Sequence, residues 1–115
     1  MASELRIEKI NTLLREVIAG ILARELQPAA DVMVTVTRVA ASPDLHYATV
    51  FVSALGAADE RAVLADLSRA AGTIQRGLNR AVRMRPVPKI TFAIDEQEKR
   101  RERIERILSD SEGKD

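Results

Sequence analysis

The sequence predicts a single α+β domain in which helices cover a three-stranded sheet, in the order helix, strand, strand, helix, kink, helix, strand. Three observations lead there. Apolar residues recur at helical spacing up to residue 26 and again from residue 60 to 81, three short stretches are rich in β-branched residues, and a glycine interrupts the second helical stretch. A chain of 115 residues, 46% of them hydrophobic, is enough for one modest core.

In the first segment Ile10, Leu14, Val17 and Ile21 form a stripe, widened by Leu13 and Ile18, with Glu8, Thr12, Arg15 and Ala19 opposite. Ser3 is a suitable N-cap, and Pro28 ends the pattern because the residue before a proline is pushed out of the helical region, so the helix should stop near Leu26. The stretch Val32 to Val39 reads as a strand, Ala41-Ser42-Pro43-Asp44 as a turn, and His46 to Ser53 as a second strand, together an antiparallel hairpin. Ala57 to Asp59 offers a turn and an N-cap, after which Val63, Leu67, Ala70, Ile74, Leu78 and Ala81 keep one apolar face.

Gly72 falls inside that face's length, where glycine costs about 0.5–1 kcal/mol relative to alanine, so two helices meeting at a kink are expected. Pro86 and Pro88 close the region, and Ile90-Thr91-Phe92-Ala93-Ile94 alternates as a third strand with Ile90, Phe92 and Ile94 facing inward. Asp95 followed by Glu98 resembles a capping box, and Glu102 pairs with Arg106 at i, i+4. Residues 1–95 thus form the domain and residues 96–115 a charged tail, partly helical or disordered, with Ser109 to Asp115 too polar to order itself.

Several function classes fall away. There is no cysteine, hence no disulfide, thiolate metal site or thiol nucleophile, which fits the reducing cytoplasm. The first helical segment has charges spread through it, so neither a signal peptide nor a membrane span is expected. His46 is the only histidine and reads as a surface or strand-edge residue; no catalytic triad, metal site or phosphate-binding glycine loop can be built, so no enzyme activity and no cofactor are expected.

The net charge is +1, but its distribution is uneven. Residues 1–67 carry six bases and nine acids, residues 68–94 six bases and no acid, and residues 95–115 six bases and eight acids, giving −3, +6 and −2. In the middle segment Arg69, Arg76, Arg80 and Arg83 fall within a band of roughly 60° opposite the apolar stripe, and Arg85 and Lys89 follow. Guanidinium groups on one face without a neighbouring carboxylate are what a phosphate backbone requires; a solvated basic face is the plainer alternative.

Gly72 and Gly77 would let RNA approach the backbone, although a kink or tight helix packing accounts for glycine equally well. Tyr47 and Phe51 share the odd-numbered face of the second strand, where an exposed aromatic can stack on a base, but packing beneath a helix is the commoner fate. Arg100, Arg101, Arg103 and Arg106 are interleaved with Glu98, Glu102 and Glu105, a pattern suited to a salt-bridged helix rather than an RNA arm.

With these motifs placed, the chain resembles the ribosome-binding factor A family from about Ser3 to Leu108. The matching stretches, in order, are Arg6-x-x-x-Ile10; Val34-Thr35-Val36-Thr37-Arg38-Val39 with Ser42-x-Asp44-Leu45-x-Tyr47-Ala48-x-Val50-x-Val52; Leu67-x-x-Ala70-Ala71-Gly72-x-Ile74-Gln75; and Arg83-Met84-Arg85-x-Val87-Pro88-x-Ile90-x-Phe92-x-x-Asp95. The departures are Pro86, where many members carry a bulky aliphatic residue, and a more charged tail.

The resemblance implies a type II KH-like fold whose usual GxxG loop is replaced by a helix-kink-helix at Ala70-Ala71-Gly72. It implies a monomeric factor that binds free 30S subunits at 16S rRNA near the decoding region, assists late maturation and rRNA processing, and supports growth in the cold. A ribosome-dependent GTPase is expected to release it. The RNA-binding residues would be Arg69, Ala70, Ala71, Gly72, Arg76, Arg80, Arg83, Arg85 and Lys89. Two other readings of the same residues are a KH-like binder of other RNA or single-stranded nucleic acid and a protein-interaction or dimerisation module whose first helix pairs with a partner.

Overall fold

The computed structural model describes residues 3–26, 32–56 and 59–112. Its elements are α1 (Glu4–Glu25), β1 (Met33–Ala41), β2 (Tyr47–Leu55), α2 (Glu60–Ala81), β3 (Lys89–Ile94) and α3 (Glu96–Glu112). The expected α+β order is present, with a third helix appended. Pro28, the expected turn at Ala57 and the last three residues of the expected disordered end lie outside the described residues.

Helix α1 starts where its cap dictates: the Ser3 hydroxyl accepts from the Arg6 amide at 3.2 Å. It buries Leu14, Ile18, Ile21 and Leu22, while Leu13 stays 47% exposed, so the buried stripe is rotated slightly from the one the spacing suggested. Asp59 caps α2 in the same way, accepting from the Arg61 amide at 2.9 Å.

The sheet order is β1-β2-β3, with β1 and β2 antiparallel and β2 and β3 parallel. The hairpin turns through Ser42 and Asp44, where the Ser42 hydroxyl donates to Asp44 Oδ1 at 2.6 Å and Leu45 takes the left-handed conformation at φ 63°. A parallel neighbour cannot be reached by a tight turn, and α2 supplies the crossover. On β2 the even residues Ala48, Val50 and Val52 are buried beneath α1 and α2.

Strand β1 shifts register between Val36 and Arg38, which puts Val36 and Val39 on the core face and turns Arg38 to the other. The bulged Thr37 donates its hydroxyl to Asp95 Oδ2 at 2.6 Å, and Arg38 Nε lies 3.4 Å from the same oxygen. Asp95 Oδ1 accepts from the Glu98 amide at 3.1 Å, so the buried carboxylate caps α3 as the sequence suggested. The reciprocal half of the capping box is absent, because the Asp95 amide is already bonded to Val52 O at 2.8 Å. Burial pushes the Asp95 carboxyl up, but the Thr37 hydroxyl, the Glu98 amide and Arg38 outweigh it and hold it below its ordinary value.

Two expectations are corrected. Helix α2 runs without interruption from Glu60 to Ala81, so the two helices expected to meet at a kink at Gly72 are one helix. Its flanking residues decide this: Leu67, Ile74 and Leu78 are each fully buried, worth about 1.5–3 kcal/mol apiece, against the ~0.5–1 kcal/mol that a helical glycine costs. Ala81, expected on the apolar face, is exposed, and Val82 at the C-cap is buried instead.

The other correction concerns the tail. Residues Ser109 to Glu112 continue α3 rather than being disordered. With 17 residues, or about 25 Å at 1.5 Å per residue, α3 contributes to a longest dimension of 56 Å. Ile104, Ile107 and Leu108 along it remain 51–58% exposed.

Candidate nucleic-acid interface

The packing of α2 against β3 leaves an open groove of about 410 Å³ lined by Ala71, Gly72, Gln75, Asn79, Val87, Lys89 and Ile90. Gln75 sets its floor. Its amide donates to Pro88 O at 3.0 Å and to Asn79 Oδ1 at 3.1 Å, and its carbonyl accepts from the Ile90 amide at 2.9 Å. Ile90 sits on an edge strand, so Gln75 satisfies a backbone donor that the ladder leaves open.

Gly72 and Lys89, distant in sequence, meet at this groove. A Cβ added at Gly72 would meet only Arg76 Nη1, at 3.5 Å, an ordinary contact. The backbone there is therefore open to the outside, with the Arg76 guanidinium beside it. Gly77 is different: a Cβ there would lie 3.2 Å from Ile21 Cδ1. Its lack of a side chain serves the packing of α2 on α1, not access to a ligand.

Of the other residues singled out in the sequence, Arg76, Arg80, Arg83 and Lys89 are exposed, and among the described residues no carboxylate forms a salt bridge with any of them. On α2 the side chains of Arg76 and Arg80 project from the strip next to Gly72. Arg69 shares that strip but pairs with Asp66, one turn earlier, so its charge is largely neutralised. The acid-free stretch that starts at Ser68 begins just beyond this partner.

Arg85 folds back, donating to Val82 O at 3.2 Å and Met84 O at 2.7 Å, and so braces the turn between α2 and β3. Ala70 packs half-buried against the core and Ala71 lines the groove. Gln75 and Asn79 were not singled out as site residues; an isolated polar side chain on a helix has no distinguishing pattern until the strand edge it faces is known.

A scan against family models matches ribosome-binding factor A over residues 6–108. The chain belongs to the ribosome-binding factor A family. A member from Natranaerobius thermophilus is 39% identical over 107 residues, covering 92% of this chain and 82% of that protein. Among solved structures, the crystal structure of ribosome-binding factor A from Thermus thermophilus superposes with a TM-score of 0.67 at 27% identity, covering 76% of this chain and 93% of that one. A Thermus thermophilus ribosome binding factor A homology model, as fitted into the cryo-EM map of a 30S complex of that protein, gives 0.65 at 29% identity, covering 76% and 92%.

Among the described residues there is no cluster of three or more histidine, cysteine or acidic residues suited to a metal, and no helix is long and apolar enough to cross a membrane.

Proposed function

We propose that this chain binds free 30S subunits at their 16S rRNA, through the α2–β3 groove and the arginines beside it, and assists late maturation and processing of that RNA in the cytoplasm, including in the cold. The observation that carries this reading is a groove with an exposed glycine backbone, lined by Lys89 and by no carboxylate, with Arg76 beside Gly72 and Arg80 one turn further along α2. Phosphates need cations without competing anions, and a Cβ-free helix surface lets a ribose-phosphate chain approach closely.

The contribution is that of a chaperone rather than an enzyme. Phosphate contacts hold the protein in register, and its tighter binding to one rRNA conformer raises the population of that conformer. Residues 1–95 act as the KH-like RNA-binding domain and residues 96–115 as an appendage. The protein acts as a monomer, and a ribosome-dependent GTPase releases it once the site has matured.

The test is co-sedimentation of the tagged protein in sucrose gradients beside the Arg76→Glu, Arg80→Glu, Arg83→Glu triple variant. Wild-type protein in the free 30S fraction but not with 70S ribosomes, together with loss of the variant from 30S, is the expected result. A variant that sediments with 30S like wild type would refute the helix face as the anchor.

A further inference from the structure

Only one face of the sheet is covered among the described residues. Helices α1 and α2 pack on the side of Val36, Val39, Val50 and Val52, and the residues between point the other way. The sequence placed Tyr47 and Phe51 together on the odd face of β2, with burial beneath a helix as the commoner outcome; that burial does not occur. Tyr47 is 63% exposed at the start of the central strand, beside Lys89 in the parallel register. Further along, the Arg38 guanidinium lies 3.7 Å from the centre of the Phe51 ring.

Beside Tyr47 the cation available to an anion is Lys89, which forms no salt bridge among the described residues, while Arg38 is held by Asp95. Arg38 and Lys89 are exposed, whereas Asp95 is buried and engaged by Thr37 and Arg38. The hairpin carboxylate, Asp44, accepts from the Ser42 hydroxyl and the His46 amide. Between Tyr47 and Arg38 the surface is low, formed by Ala40, Thr49 and Thr91. Lys89 also lines the α2–β3 groove, so the two surfaces join across the edge of β3.

We propose that the open sheet face is a second RNA surface, on which the Tyr47 ring stacks an unpaired base and Lys89 holds the adjoining phosphate of the same single strand. A flat sheet carrying exposed aromatic and cationic side chains accepts splayed bases but not a base-paired helix, whose ring faces are already stacked. This rests on the reading that the α2–β3 groove binds rRNA, with the strand continuing from the groove over β3.

Tyr47 is the only tyrosine and there is no tryptophan, so the intrinsic emission of the protein reports on this one ring. The full chain is titrated with a short single-stranded oligoribonucleotide of adenosine and uridine, and separately with an RNA duplex. Tyrosine emission, corrected for RNA absorption, and the anisotropy of an end label on the RNA are followed together. The single strand should quench the emission with the midpoint seen in anisotropy, and the duplex should not. Tyr47→Ala should weaken single-strand binding by at least about fivefold, and Tyr47→Phe should retain it.

Anisotropy that saturates without quenching, equal quenching by duplex, or wild-type affinity in Tyr47→Ala each overturns the sheet surface and leaves the groove standing. A flat anisotropy signal for the wild-type chain at low salt removes both.

Discussion

Helices α2 and α3 are both rich in arginine, yet they present different surfaces. On α3, Arg101 pairs with Glu98 and, at 2.6 Å, with Glu105, while Lys99 reaches Glu60 at 2.7 Å and Glu96 at 3.6 Å. On α2 only Arg69 has such a partner, and Arg76 and Arg80 project into solvent with none among the described residues. Equal numbers of arginines do not make equal fields. What matters is whether an acid stands three or four positions away, and past Asp66 helix α2 has none.

The largest effect expected of this contrast is on affinity. Reversing Arg76, Arg80 and Arg83 to glutamate should weaken binding to 16S rRNA by well over about tenfold near physiological salt and reduce the slope of log K against log salt by roughly three. The same reversal at Lys99 and Arg101, the α3 cations that acids already engage, should leave both nearly unchanged. Filter-binding across a salt series separates the outcomes, and an equal loss from the α3 set would break the comparison.

The two glycines of α2 give the next contrast. Gly77→Leu should destabilise by about 1–3 kcal/mol, because Ile21 already occupies the space a side chain needs. Gly72→Ala should stabilise by about 0.5–1 kcal/mol and at the same time weaken RNA binding. Denaturant unfolding read beside RNA affinity checks both; a Gly72→Ala variant that binds RNA as wild type would show that the open backbone at the groove is not used.

A third contrast concerns Asp95, which anchors the start of α3. Its folded-state pKa lies below the unfolded value, so its contribution is present at neutral pH and is lost as pH falls through the ordinary carboxylate range towards the depressed folded value. Asp95→Asn should cost about 1–3 kcal/mol at pH 7 and lack that part of the acid dependence. Chemical denaturation at a series of pH values should show the two proteins converging as pH falls, and parallel curves would assign the carboxylate no role.

Local sequence sets the helix starts, because Ser3 and Asp59 act on amides two or three residues away. It determined the strands by their β-branched alternation, and the basic strip of α2 by helical spacing. These are local relations, set by backbone geometry within a few residues. Tertiary structure decided the rest. It kept α2 continuous through Gly72 because packing on both sides outweighs one glycine. It assigned Gly77 to the contact with Ile21, brought Lys89 to Gly72, and gave Gln75 the edge of β3. The bulge at Thr37 turned Arg38 onto Phe51, and the placing of both packed helices on one side left Tyr47 in solvent. In each case the deciding partner is a residue far away in the chain, and no local pattern encodes a distance that only the closed sheet and its packed helices create.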